Sequence, residues 1–523
     1  MGALTLKSFP FELRGWDLQK YENIDYTDSF GSNVRLYVLK NQIIQIEPDF
    51  NENSTNEWIS DKGRSFFDSM TGEIGFKAHN KKSLKTTLRK LMNCMYITET
   101  CRLTQNRNKL ITFVFENINL ETINVLTTLN VSSNFIEIKK SENINLNNDL
   151  EKNFTIDSND PKFLFSSTVG VLVNTNTRYE GFHLNLKLKQ RFLKGNFELF
   201  IIGSLVNLTF PAIYAGSNLK SLKGIIEGNS AICQSLKPKK KPAFIYNLET
   251  LKRNDLSETK FLNYTSILNK NYNSLNFLSS NLSEVGGHLT SKFQGLNKKD
   301  FEHNNNLCFL NVSSNNIVKL KNIINLKFLN YNIKKKLNLI TKSLTLNCSF
   351  DNETTKLDYQ KMLSKTGISN EYSYLPSKSF FSTNNTFITS EGINKKSIKV
   401  ISENNKINSM HLIKKLNNYI KQKPFLLKQK RLLLQDKKEL DFYVKFQYLA
   451  TAGLSNFNFY IFNQIKPFNL KKRFKNNRFK LHSTKFKYWV DDFFDSSKDE
   501  YTLNSKILMD CSNNIKLKNT NFF

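Results

Sequence analysis

The sequence predicts an α/β chain, with parallel doubly wound sheets behind a small N-terminal β unit. Two observations carry the expectation. Runs such as Val169–Val173 ("VGVLV") and Ala243–Tyr246 ("AFIY") are apolar at successive positions, as in strands buried on both faces of a covered parallel sheet. Segments with helical character, such as Leu184–Leu193 and Leu219–Glu227, separate these runs, which is the alternation of a sheet with helices on both sides.

The elements follow in order. In residues 20–50, "NVRLYVL" and "QIIQIEP" flank Lys40-Asn41, so two strands and a turn are expected. Asn56–Met70 reads as a turn and helix, and Ser83–Met92 as a helix capped by Ser83. Strands are expected at Ile111–Phe115, Phe135–Ile138, Val169–Val173, Phe197–Ile202 and Ala243–Tyr246. Helices fall between them at Leu120–Leu129, Leu184–Leu193 and Leu219–Glu227. A second set has a helix near Glu258–Asn269 and strands at Leu275–Leu278, Leu307–Val312 and Leu337–Ile340. Residues 313–336 have no clear period, and 350–374 read as a polar loop. Thr386–Val400 reads as a short β element around Gly392, and Met410–Ile420 as a basic helix. Beyond 424 the chain is rich in Lys and Phe, with no clear sheet. These features divide it into a β-rich unit at 1–80, α/β units at 81–260 and 261–400, and a basic extension at 401–523.

The 523 residues suffice for a large core. Phe is frequent (43) and Gly (19) and Pro (9) are scarce, while Asn and Lys occur in runs; such usage suits an AT-rich, organelle-encoded gene. The net charge of +31 has two readings, a nucleic-acid binder or a lysine-rich surface that meets acidic neighbours. No RNA-recognition, KH or zinc-finger signature accompanies it. Cys94, Cys101, Cys233, Cys308, Cys348 and Cys511 lack zinc or iron–sulfur spacing, and the six histidines, 79, 183, 288, 303, 411 and 482, form no ligand pair. The longest apolar stretch, Phe197–Gly216, is interrupted by Glu198, Asn207 and Pro211, so it reads as a strand and loop rather than a membrane span.

Several stretches resemble one family. "NEWISDKGRSF" (Asn56–Phe66), "ENIDYTDSFGSNV" (Glu22–Val34) and "GALTLKSFPFELRGWDLQKYE" (Gly2–Glu22) are similar to the largest peripheral-arm iron–sulfur subunit of respiratory complex I. The likeness extends to Val169–Pro211, Lys240–Asp255, "TNNTFITSEG" (Thr383–Gly392) and Lys487–Ser512; residues 260–375 and 400–480 match poorly. In that family Gly-Ala-Leu-Thr follows Cys-Pro-Val, which includes a cluster ligand. Here Met1 precedes Gly2, so the resemblance implies a split subunit whose companion polypeptide carries the iron–sulfur clusters.

The resemblance implies a molybdopterin-oxidoreductase-like fold. It implies no cofactor in this chain, with iron–sulfur clusters and FMN in partner subunits, since residues 20–50 contain no cysteine. No catalytic, cofactor-binding or metal-binding residue is expected. In molybdopterin enzymes a Gly-Ser/Thr-Asn-Pro loop at a strand's carboxyl end lies against the pterin; here Asn174 replaces the Gly and Thr177 the Pro. Arg178 and Glu180 read as ligand contacts or as a fold-internal ion pair. "EVGGHL" (Glu284–Leu289) reads as a bare Gly-Gly turn without nucleotide-binding spacing. The expected role is a non-catalytic scaffold in the matrix-side arm of mitochondrial complex I. Its partners would be the companion polypeptide and other peripheral-arm subunits, without nucleic acid and without a direct membrane span. An active molybdopterin oxidoreductase and an organellar RNA-binding or ribosomal protein are the alternatives.

Overall fold

The computed structural model describes residues 14–49, 58–70, 110–114, 118–132, 136–140, 155–156, 163–230, 232–236, 242–252, 275–279, 281–290, 294–295, 306–310, 378–403, 408, 410–411, 413–414 and 505–520. Fourteen strands are described: β1 Gln19–Ile24, β2 Asn33–Leu39, β3 Gln42–Pro48, β4 Leu110–Val114, β5 Ile136–Lys140, β6 Val169–Val173, β7 Glu198–Ile202, β8 Ile213–Gly216, β9 Ala243–Asn247, β10 Leu275–Leu278, β11 Gln294–Gly295, β12 Asn306–Leu310, β13 Asn385–Ile388 and β14 Asn394–Ser397. The described helices are α1 Asp61–Ser65, α2 Leu120–Ser132, α3 Phe163–Ser166, α4 Thr177–Glu180, α5 Phe182–Leu193, α6 Leu219–Ile226, α7 Ile232–Leu236, α8 Leu282–Thr290 and α9 Lys506–Thr520.

The N-terminal unit is an antiparallel sheet in the order β1-β2-β3. Lys40 and Asn41 both have positive φ, 45° and 70°, as the tight two-residue turn between twisted strands requires. Asn41 also accepts hydrogen bonds from the Ser402 backbone N–H and hydroxyl, at 2.6 and 3.0 Å. The buried face of this sheet shares one apolar core with Phe380, Phe381, Phe387 and Ile401, so the antiparallel β13–β14 hairpin completes the unit.

Five parallel strands form the central sheet, in the order β10-β9-β6-β7-β8. Residues alternate between its faces. Val169, Val171, Val173, Phe244 and Tyr246 pack with Leu219, Leu222 and Ile225 of α6 on one side. Leu172, Leu199, Ile201 and Ile245 pack with Leu184 and Leu188 of α5 on the other. Burial on both faces is why these strands lack a polar alternation. A second parallel sheet has the order β11-β5-β4-β12.

The α/β expectation holds, with most strand ends within about two residues of the expected positions. Strands β1, β8 and the two-residue β11 are additional; β8 is a four-residue edge strand after Pro211, too short to give a periodic signal. The Gly-Gly turn expected at Glu284–Leu289 is instead the interior of α8. Two glycines weaken a helix on intrinsic propensity. At Gly286, however, a Cβ would stand 2.7 Å from Leu120 Cδ2, so the bare backbone lets α8 approach α2. Gly286→Val is therefore expected to cost about 2 kcal/mol, read by urea unfolding. The described residues between 410 and 414 are helical. The readings at Ser83–Met92, Glu258–Asn269, Leu337–Ile340, 313–336 and 350–374 lie outside the described residues. Among those described, no helix is long and apolar enough to cross a membrane.

Candidate functional site

Numbered along the chain, the central sheet starts at β6, adds β7 and β8 on one side, then returns to add β9 and β10 on the other. The order reverses between β6 and β9. Open α/β sheets form their ligand crevice outside the carboxyl ends of the strands at such a switch point. The residues there are Asn174–Glu180, which follow β6, and Asn247, which ends β9.

The chain turns sharply on leaving β6. Asn174 has φ 54°, a left-handed conformation that costs most side chains about 1–2 kcal/mol and that Asn tolerates better. Its N–H donates to the Ile202 carbonyl at 2.8 Å, tying the loop to β7. Asn174 thus takes a left-handed turn that a glycine would also accept, and adds a side chain there. Asn174→Val is expected to lose about 2 kcal/mol and Asn174→Gly to remain within about 0.5 kcal/mol of the parent, by urea unfolding. Thr177 opens α4, and its hydroxyl donates to Asn185 Oδ1 at 2.9 Å.

Arg178 and Glu180 do not form the ion pair that was one of the two expectations for them. They sit two positions apart on a single helical turn, where side chains diverge. Arg178 lies over the Tyr179 ring and donates to the Asn207 carbonyl at 3.4 Å. Glu180 is buried and accepts from Asn247 Nδ2 at 2.9 and 2.8 Å and from the Asn176 N–H at 3.2 Å. The Glu180–Asn247 contact spans the switch point. Asn247 was not singled out in the sequence, since nothing local marks an Asn at a strand end as a partner for a distant Glu.

Asn174, Thr175, Asn176 and Thr177 are only 7, 2, 1 and 0% exposed. Asn174 Oδ1, Thr175 Oγ1 and Asn176 Oδ1 are buried without hydrogen-bond partners, as is Ser279 Oγ just beyond β10. Close by, the β1–β2 loop packs against the start of α5: Ser32 Oγ hydrogen-bonds His183 Nε2, and the Phe30 ring lies 6.4 Å from the His183 ring. Burial pushes the His183 imidazole down to about 4, so the ring is neutral near pH 7. Burial alone pushes the Tyr246 phenol upward. The described residues hold no group of three or more His, Cys, Asp or Glu placed to bind a metal.

Residues 71–455 match the family model for molybdopterin oxidoreductase, and residues 18–68 match that for the NADH-ubiquinone oxidoreductase NDSU1/NuoG-like 4Fe-4S domain. The NADH-ubiquinone oxidoreductase 75 kDa subunit of Reclinomonas americana is 32% identical over 310 residues, 55% of this chain and 44% of that protein. The corresponding 75 kDa subunit of Acanthamoeba castellanii is 28% identical, over 54% of this chain and 42% of its own length. The mitochondrial 78 kDa subunit of Candida albicans is 26% identical, over 47% of this chain and 34% of its own. The chain thus spans less than half the length of these relatives.

The match at 18–68 corrects the expectation of no cofactor in this chain, because a domain of the 4Fe–4S type lies within it and points to an iron–sulfur cluster. That expectation rested on a missing residue type, whereas the match rests on the pattern of the whole segment. The residues of 18–68 do not fit the group unaided, since they include neither Cys nor His, the usual ligands of such clusters. The loop Asn174–Thr177, which resembles the pterin-facing loop, is buried and offers a pterin no exposed contact. With the central sheet, its switch point and the match over 71–455 in agreement, the chain belongs to the molybdopterin oxidoreductase family.

Proposed function

We propose that the chain is a structural subunit of the matrix-side arm of mitochondrial complex I, supporting electron transfer from NADH to ubiquinone by holding its neighbours in register. The observation that carries the scaffold reading is the closed switch point. Where the family's fold offers a crevice, this chain buries Asn174–Thr177 and bridges the gap with Glu180 and Asn247. The names of the relatives support the assembly and the compartment. A body packed on both sheet faces keeps attached electron carriers at constant separation. Its partners are other peripheral-arm subunits, including a companion polypeptide that bears iron–sulfur clusters and a subunit that bears FMN. The basic surface sets the register and rate of docking against acidic neighbours.

The test is separation of intact respiratory complexes on a native gel, followed by mass spectrometry of the band that oxidises NADH. The chain is expected in that band at a fixed ratio to the other subunits. Its absence from the band, or molybdenum or tungsten co-purifying with the chain, would overturn the reading.

A further inference from the structure

The β1–β2 loop carries an acidic pair that the scaffold reading leaves unused. Asp25 and Asp28 are 0 and 2% exposed. One oxygen of each is well held. Asp25 Oδ1 accepts from the Thr27 N–H and hydroxyl, both at 2.8 Å, and Asp28 Oδ1 accepts from the N–H groups of Phe30 and Gly31 at 3.0 and 3.1 Å. The other oxygen of each, Oδ2, is buried without a hydrogen-bond partner. A carboxylate leaves such an oxygen both charged and unsolvated, whereas a carboxylic acid does not.

Two lysines oppose the charge of the pair, but neither gives a hydrogen bond to the unpartnered Oδ2 atoms. Buried Lys62 of α1 acts on both, and its Nζ donates to the Thr27 carbonyl at 3.5 Å. Lys395 of β14 acts on Asp28 and donates to Asn33 Oδ1 at 2.8 Å. On α5, His183 is neutral and Lys187 pairs with Glu391 at 2.5 Å. On α8, Glu284 and His288 face each other at 4.0 Å. Burial, with Asp28 adding and Lys62 opposing, pushes Asp25 up to about 7; burial also raises Asp28.

The same loop joins three parts of the fold. Ser32 bonds His183 of α5, the Ser29 carbonyl accepts from the Ser390 N–H at 2.8 Å, and Gly31 lies against Leu282 of α8 and Thr389. We propose that the buried Asp25–Asp28 pair holds one proton, and that its release loosens the β1–β2 loop from α5, α8 and the hairpin. The junction between the N-terminal unit and the sheet body is then a proton-operated latch. The sign follows from the folded chain holding this proton more tightly than the unfolded chain does. The contribution is full below the ordinary carboxylate range, falls as pH rises through about 7, and is absent above it.

Hydrogen exchange of the full chain, corrected for intrinsic rates, tests this over peptides covering 26–32 and 385–397. In the parent, corrected exchange is expected to be about tenfold faster at pH ~8.5 than at pH ~5.5. Asp25→Asn is expected to remove the difference and hold exchange at the slow level. Lys62→Met, which deletes the opposing positive charge, is expected to move the midpoint upward. A pH-independent parent, or an Asp25→Asn variant with the parental pH dependence, would overturn the proposal. Should Asp25→Asn fail to fold, Lys62→Met decides, because an unmoved midpoint overturns it as well. Infrared spectra of the parent supply a direct reading. A protonated-carboxyl band that titrates with the exchange midpoint is expected, and its absence at low pH would be fatal.

Discussion

Glu180→Ala is expected to lower the unfolding free energy by about 3 kcal/mol, because it removes a buried acceptor from the Asn247 amide and the Asn176 N–H. Glu180→Gln preserves the volume and one carbonyl acceptor but sets an amide NH2 against that of Asn247, so a smaller loss of about 1 kcal/mol is expected. Urea unfolding of the full chain reads both. A cycle with Asn247→Ala separates the pairwise contribution from the cost of truncation, and a coupling of about 1 kcal/mol or more is expected. Near-additive losses would mean that the two residues act independently, and that their side chains add nothing to the backbone pairing of β6 with β9.

Gly63→Ala should be about as costly, and its sign is the informative part. In an ordinary helix this change gains up to about 1 kcal/mol. Here a Cβ would overlap Asp25 Oδ2 and stand 2.8 Å from Asp25 Cγ. Asp25 cannot swing aside freely, since both groups of Thr27 hold it and it is fully buried. A loss of about 3 kcal/mol is therefore expected. A thermal unfolding midpoint equal to or above that of the parent would show that Asp25 does not rest on α1 as described.

How far the fold was legible depends on how local its causes are. The run Val169–Val173 was placed to the residue, because a strand apolar on both faces needs no distant information. Lys40-Asn41 was equally readable, since it separates two strands by the two residues a tight turn takes. The glycines at 286 and 287 misled for the opposite reason. Their effect on an isolated helix is unfavourable, and only Leu120, more than 160 positions earlier, makes Gly286 appropriate. Arg178 and Glu180 were noticed as a conspicuous pair, but the partner of Glu180 is Asn247, across the sheet. Asp25 and Asp28 were visible as matched positions in Glu22–Val34. Their burial was not visible, because it depends on α1, α5, α8 and the β13–β14 hairpin closing over one loop. The iron–sulfur inference failed because it was drawn from ligand types alone.

The core shared by the N-terminal sheet and the β13–β14 hairpin has a consequence for synthesis. The Asn23 side chain donates to the Ile398 carbonyl across 375 positions, and Phe380, Phe381 and Phe387 fill the space beneath β1–β3. A ribosome adding ~5–20 residues per second would take roughly 20–75 seconds to supply that closing segment. For that interval, among the described residues, the apolar face of β1–β3 has only Ile59, Phe66 and Phe67 from the following segment to cover it. Chaperone shelter is thus most needed around β1–β3 while residues 50–398 are being made, and a chain ended before residue 380 lacks the segment that completes this core.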